Sequence, residues 1–541
     1  MNSAALAVVS LLCFAGGYKF YSKKLRKVWN ISPDNPTPAH TLYNGVDFVP
    51  SKNWLFLFGH HFASIAGAGP ILGPVIACAI WGWLPAVVWV VAGSIFIGGV
   101  HDFSALILSV RNGGSSIADI SEKVIGRNAK IFFSVFILLA LILVIAVFAI
   151  VTAQTLLETP QIVIPTLGLI VVAIFVGLML YKWNVNSVAA TLIGLAALAG
   201  LIFLGEKYPV GLNCANAATV WIIGLLIYAG VASVLPVNIL LQPRDYLSSF
   251  LLFAGLILGF LGVIISHPQF QTPAVITFAS ASGMLWPSMC IIIACGANSG
   301  FHSLVASGTT SKQLSSEKYA FRIGYGAMIM EGVMAILAII AVSAGLPWKG
   351  YNSYPALMKS GNWIRTFALG FGSISKPLLG RFGPFFAMLM LNAFVMTTLD
   401  TATRITRYVG QELLGNTFKI KIFKNGVVMT LVIIAFAFYL AGGPRARLWP
   451  IFGASNQLIA ALVLIVVAAY LFSRKLPSLF VIIPGAFMLV TTVIALIIEM
   501  VKNYGENNLL FVISVILLAL AVFVVVEASK KIKTREVYRN G

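Results

Sequence analysis

About fifteen apolar windows, each long enough to cross a bilayer, follow one another along this chain, from 3–22 and 54–80 to 478–501 and 507–528. A backbone in lipid must satisfy its own hydrogen bonds, which restricts such windows to helices. The sequence therefore predicts an all-α polytopic membrane protein with about 15 transmembrane helices. Composition agrees: 10% of residues are charged, against about 25% in a soluble chain. The five cysteines form no CxxC pair, so neither a disulfide framework nor a zinc site is implied.

The net charge of +20 is informative through its distribution. Alternating the windows across a membrane puts 27 of the 36 Lys and Arg on one side. By the positive-inside rule that side is cytoplasmic, with the N-terminus outside and the C-terminus inside. The organisation read from this is an N-terminal transmembrane helix at 1–22, a proline-rich cytoplasmic connector at 23–52, and helices from 54 onward. A basic tail at 529–541 closes the chain. Within loop 111–130 a short amphipathic helix is expected from Ser116 to Gly126. The first window is read as an uncleaved anchor and not a signal peptide, since it lacks a basic leading segment.

The second window is interrupted. Trp54 to Ile80 carries His60, His61, Gly67, Gly69, Pro70, Gly73 and Pro74 at mid-depth, and proline removes a backbone donor. A break is expected at 63–70. Unwound backbone at that depth survives where protein or a water-filled cavity satisfies it, as at the substrate sites of secondary transporters. Ser64, Gly67 and Gly69 are therefore candidate substrate contacts beside His60 and His61. Histidine titrates near neutral pH, so the pair suits proton coupling or substrate contact; a structural role is the alternative reading.

Other ionisable groups at membrane depth are His101, Asp102, His302, Glu331 and Asp400. His101 and Asp102 are read as a gate, or as a local pair anchoring a helix end. Glu331 is read as functional or as half of an interhelical salt bridge. Small residues before Pro236, with Tyr228, Gly230 and Ser233, predict a second break at 228–236. The span from Cys295 to Thr310, holding Ser303, Ser307 and Thr309, and the stretch from Asn392 to Arg404, holding Asn392, Thr397 and Asp400, also look interrupted and are rich in oxygen that could turn inward. With the carbonyl of Ala63 these oxygens could hold Na+, whereas His61 and Asp400 could carry H+; the residues permit both ions.

Skipping the first window, the two expected breaks lie five spans apart and thus in opposite orientation. That spacing predicts a five-plus-five inverted repeat, with halves at 54–204 and 217–407 and a further four-helix membrane region at 425–528.

Several stretches also resemble the bacterial carbon starvation protein A (CstA) family: His60-His61-Phe62-Ala63-Ser64-Ile65-Ala66-Gly67-Ala68-Gly69-Pro70, Val100-His101-Asp102-Phe103, Arg111-Asn112-Gly113-Gly114-Ser115-Ser116, Leu241-Gln242-Pro243-Arg244-Asp245-Tyr246 and Thr397 to Arg404. The resemblance runs from about Trp54 to Arg407. It implies a bacterial inner-membrane permease induced on nutrient limitation, for peptides and in some members for pyruvate with protons. It also implies kinship with the amino acid–polyamine–organocation superfamily, whose fold is a LeuT-like inverted repeat.

The leading expectation is a secondary active importer of small carboxylate-bearing nutrients, peptides or pyruvate, coupled to H+ or Na+. Its partners would be that small molecule and the lipid bilayer, with no nucleic acid. The alternatives are a channel or an amino-acid permease with another substrate. A channel needs rings of like groups or a filter loop, and the sequence has neither. No HExxH, GxSxG or P-loop pattern points to an enzyme or an ATP-driven pump, and no cofactor is implied beyond the coupling ion.

Overall fold

The computed structural model of the protein describes residues 2–280, 282–442 and 445–540, with side chains for all of these except 445–447 and 531–540. Helix α1 (Ser3–Trp29) runs on past the expected end at 22. Its last turns bury Leu25 and Trp29, and Trp29 stacks on Tyr470.

The second window is a bent pair, α2 (Trp54–Ile65) and α3 (Gly69–Trp81), meeting at 41°. Asn53 starts α2 by accepting from the amides of Leu55 and Phe56. The bend falls at 66–68, inside the expected interval. Pro70 cannot donate to the turn before it, and the carbonyl of Ser64, freed there, accepts from Thr398 Oγ1 at 3.0 Å.

Next come α4 (Trp83–Arg111), α5 (Ile117–Val124), α6 (Arg127–Glu158), α7 (Val163–Tyr181) and α8 (Ser187–Lys207). Helix α5 lies where the short amphipathic helix is expected, with Ser116 Oγ accepting from the Asp119 amide. Then follow α9 (Ala217–Val234) and α10 (Leu241–Ser266).

The expected second break at 228–236 is not there. Helix α9 is continuous through Tyr228, Gly230 and Ser233 and simply ends at Val234. Pro236 forces the residue before it, Leu235, into extended backbone. It therefore terminates a helix and does not interrupt one.

Of the other two stretches expected to be interrupted, 392–404 is continuous helix, and the hydroxyl-rich span is broken. Short turns at Leu285–Met289, Cys290–Ile292 and Ala294–Ala297 stop at Asn298 and Ser299, both extended, before α11 (Gly300–Gly308). No proline marks this break. Asn456 holds it from outside: its Oδ1 accepts from the Phe301 amide at 2.9 Å, and its Nδ2 donates to Ser299 Oγ at 3.0 Å.

The remaining helices are α12 (Ala320–Gly345), α13 (Tyr354–Lys359), α14 (Trp363–Ile374), α15 (Gly383–Gly410), α16 (Gly426–Ala441), α17 (Arg445–Ser473), α18 (Leu479–Asn503) and α19 (Asn508–Asn540). The basic tail expected at 529–541 falls, beyond Lys530, outside the described side chains. Among the described residues 12 helices are long and apolar enough to cross a membrane, and the bent pair makes 13. The expectation of about fifteen also counts two windows that fall short as single helices: the broken 285–308 segment and α16, with 16 residues.

Helix α2 lies along α10, α3 against the turns at 290–297, α4 along α12 and α6 along α15. Helices α9 and α16 each touch both α6 and α15, as well as each other. Helix α17 packs on α11 and supplies the Asn456 cap. Helices α7 and α8 pack chiefly on one another, between α6 and α9 in the chain.

Candidate transport site

The two breaks touch. A Cβ built on Gly69 would sit 2.3 Å from Cys295 Sγ, so glycine is required for α3 to approach the turn before the second break. Gly67 is equally confined, between Phe148 and Thr398. Both glycines thus act through close packing.

Below the first break lies a buried charge network. His60 Nδ1 is 2.6 Å from Asp245 Oδ2, and Ser64 Oγ donates to the same oxygen at 3.3 Å. The Arg244 guanidinium donates to Asp245 Oδ1 through Nη2 at 2.6 Å and to Asp400 Oδ1 at 3.1 Å. Its Nη1 contacts Asp400 and Tyr228. Tyr228 in turn donates to Asp400 Oδ2 at 2.8 Å. Gln313 Nε2, a donor, faces His60 Nε2 at 3.3 Å. His60 Nε2 is then the acceptor nitrogen and Nδ1 carries the proton given to Asp245. The network joins α2, α9, α10 and α15.

A second buried cluster lies among α4, α11 and α12. Asp102 takes His101 Nδ1 on Oδ1 at 2.7 Å and His302 Nδ1 on Oδ2 at 2.8 Å. His302 Nε2 lies 2.9 Å from Glu331 Oε2, within ion-pair distance though not aligned as a hydrogen bond. The local His101–Asp102 pair therefore exists, but Asp102 also crosses to α11. His61 points elsewhere: its Nδ1 meets Thr310 Oγ1 at 2.8 Å and its Nε2 has no partner.

The other candidates divide. Tyr228, Ser64 and Asp400 join the first network. Gly230 and Ser233 face Ile434 and Thr430 of α16, away from either break. Asn392 ties α15 to Thr155 and Thr166. Thr397, Ser303 and Thr309 donate within their own helices, to Ala393, Gly300 and Val305. Ser307 offers its carbonyl to Ser311 at 3.1 Å. The carbonyl of Ala63 lies in the last turn of α2.

Sequence reasoning passed over Arg244 and Asp245 as site residues, because the run Gln242-Pro243-Arg244-Asp245 reads as a loop between apolar windows. It is the first turn of α10, wholly buried. Two further groups stand out at the second break. Asn298 is buried with neither amide atom partnered, and so is Gln457, next to the capping Asn456. A cavity of about 420 Å³ opens nearby, lined by Leu72 of α3, Val147, Val151 and Gln154 of α6, Trp363 of α14 and Trp449 of α17. Phe148, which abuts Gly67 and neighbours the lining residue Val147, meets Phe452 edge-on at 5.6 Å.

Comparison with known proteins gives the geometry a family. The sequence model of the family described as "Carbon starvation protein CstA" matches residues 2–359 and 349–495. The peptide transporter CstA of Bacillus subtilis is 32% identical over 98% of this chain and 97% of its own length. The pyruvate/proton symporter BtsT of Escherichia coli is 30% identical over 91% of this chain and 81% of its own. Among solved structures, variants of the Eremococcus coleocola manganese transporter share the fold, with a TM-score of 0.56 at 12% identity, over 91% of this chain and 99% of that one. The chain is a multi-pass membrane protein that belongs to the carbon starvation protein CstA family of transporters.

Proposed function

We propose that this protein is a proton-coupled importer of a small carboxylate-bearing nutrient, pyruvate or a peptide, bound between the breaks at 66–68 and 298–299. The observation that carries the proposal is the close approach of α3 to the turn before the second break, near Asn298, whose buried amide has no partner among the described residues. A helix start presents the positive end of its dipole, here with the Phe301 amide of α11 already held by Asn456. Helices α3 and α11 both start at this point, which suits a carboxylate. The cavity above it is the entry path, with Phe148 and Phe452 as its floor. The names of the relatives, which include a peptide transporter and a pyruvate/proton symporter, support both substrate classes.

Protons fit the coupling role better than sodium. The carbonyl that the first break frees, that of Ser64, already accepts from Thr398 Oγ1 and is less open to a sodium ion. A fixed guanidinium, Arg244, already supplies the positive charge between α10 and α15.

The inverted repeat is retained with new boundaries. We pair α2–α3, α4, α6, α9 and α10 with the 285–308 segment, α12, α15, α16 and α17, and take α7 and α8 as an insertion. The reciprocal packing of α9 and α16 on α6 and α15 supports this pairing. The Lys and Arg distribution favours an outer N-terminus, and the family a place in the bacterial inner membrane.

Uptake of labelled pyruvate and of a labelled dipeptide into proteoliposomes tests the reading. Saturable uptake of one of them, driven by an inward proton gradient and not by sodium, is expected. Uptake that follows sodium alone would remove the coupling assignment, and passive flux without saturation would indicate a channel.

A further inference from the structure

The cluster on α4, α11 and α12 has a chemistry that the substrate site does not use. Both ring nitrogens of His302 face carboxylates, Asp102 at 2.8 Å and Glu331 at 2.9 Å. With both carboxylates ionised, each nitrogen carries a hydrogen and His302 is an imidazolium. Asp102 is held from two sides, since His101 donates to its other oxygen. Glu331 has the His302 ion pair, and neither of its oxygens has an aligned hydrogen bond among the described residues. One buried cation thus stands against two buried carboxylates, a net charge of −1 with every member fully buried, and uncompensated charge in such a place is costly. The other titratable groups within electrostatic reach of the cluster are His61 of α2, whose ring is turned to Thr310, and Cys295 of the turn before the break. Neither is a cation fixed on Glu331. Helix α17, also packed against α11, contributes the neutral Asn456 there.

We propose that Glu331, paired with His302, is the site that binds the coupling proton. The proton adds to a Glu331 carboxylate oxygen, an O–H bond forms, and the cluster goes from −1 to neutral with no other bond broken. Its placement links this event to substrate. His302 lies in the first turn of α11, directly after Asn298 and Ser299. Helix α11 is tied to α4 through Asp102 and to α12 through Glu331. Protonating Glu331 removes the charge from one of those two ties, which frees α11 to move against α12 when substrate occupies the break.

This inference rests on the proposed proton-coupled carboxylate import, and the test separates the two. Proton uptake by the purified protein is followed with a pH indicator as pyruvate, or the dipeptide, is added. The wild type is expected to take up protons with the compound it transports. Glu331→Gln is expected to take up none and to lose the pH dependence of binding, a change of about tenfold per pH unit in the coupled range, while Glu331→Asp keeps both. No uptake by the wild type with either compound defeats the underlying reading. Uptake by the wild type and equally by Glu331→Gln defeats this assignment alone. If Glu331→Gln does not fold, carbodiimide labelling of the wild type, read by mass spectrometry, decides. Modification of Glu331 that fades as pH rises is expected, and modification of Asp245 or Asp400 in its place overturns the proposal.

Discussion

Asp245 on α10 receives the imidazole of His60 on α2 at 2.6 Å, and its other oxygen receives Arg244. One buried carboxylate thereby fixes both a histidine tautomer beside the first break and the guanidinium that reaches α15. Removing single members of such a network costs unequally.

Arg244→Ala leaves Asp245 and Asp400 buried without their shared cation. It is expected to destabilise by about 3–5 kcal/mol, seen as a large drop in the thermal unfolding midpoint in detergent. Asp245→Ala leaves Arg244 still paired with Asp400 and is expected to cost less. Lysine at 244 cannot reproduce the forked contact to two carboxylates and should recover little. An equal loss for Arg244→Ala and Asp245→Ala would contradict the arrangement.

Gly69 and Cys295 make a reciprocal prediction. Gly69→Ala puts a methyl group 2.3 Å from the Cys295 sulfur and 2.4 Å from its Cβ, so the breaks must separate and transport should be lost. Because the obstruction is the Cys295 side chain, Gly69→Ala combined with Cys295→Gly should recover uptake, whereas Cys295→Ala should not. Uptake assays on the three variants check this, and an active Gly69→Ala protein would disprove the close approach.

The expected breaks show how far sequence reasoning reaches. The first was legible because Pro70 has a local, unavoidable effect on the backbone. The second was placed at Pro236, where the same local effect ends a helix that had already crossed. The interruption at Asn298 and Ser299 falls in a stretch whose crowded hydroxyls and amide mark it as irregular, but the cap that holds it, Asn456, is 155 residues away from Phe301 and invisible locally. Glu331 was visible as a lone charge in an apolar span, but its partner His302 depends on two helices meeting. Arg244 and Asp245 were hidden by their place at a window edge, where charge reads as solvated.

Phe148 and Phe452 are predicted to close the cavity floor. Cys295 is buried beside the break, while Cys13 and Cys214 are exposed. In a protein lacking those two exposed thiols, Phe148→Ala should speed alkylation of Cys295 by a polar maleimide about tenfold or more, a barrier change of about 1.4 kcal/mol. An unchanged rate would mean that the aromatic pair does not cover the site.

Lys312 sits beyond the end of α11, its ammonium 4.3 Å from the Tyr408 ring centroid. Burial holds its amine below the ordinary 10.5, although Glu412 and Asp47 pull the other way. The folded protein therefore releases this proton at a lower pH than the unfolded chain does. Stability should rise with pH between the folded value and 10.5 on this account. Lys312→Gln should flatten that part of the curve; urea unfolding midpoints between neutral and alkaline pH measure it, and the same slope in the variant would refute the contribution.

The central claim is that substrate binds between the two breaks, and Asn298 tests it most directly. Neither atom of its amide is bonded among the described residues, so Asn298→Ala removes no hydrogen bond seen there and should leave the unfolding midpoint near that of the wild type. Equilibrium binding of labelled pyruvate and of a labelled dipeptide to the purified variant is the measurement. Affinity for the transported compound should fall about tenfold, the worth of one hydrogen bond to a charged group. An affinity equal to that of the wild type, in a folded protein, would place the substrate elsewhere.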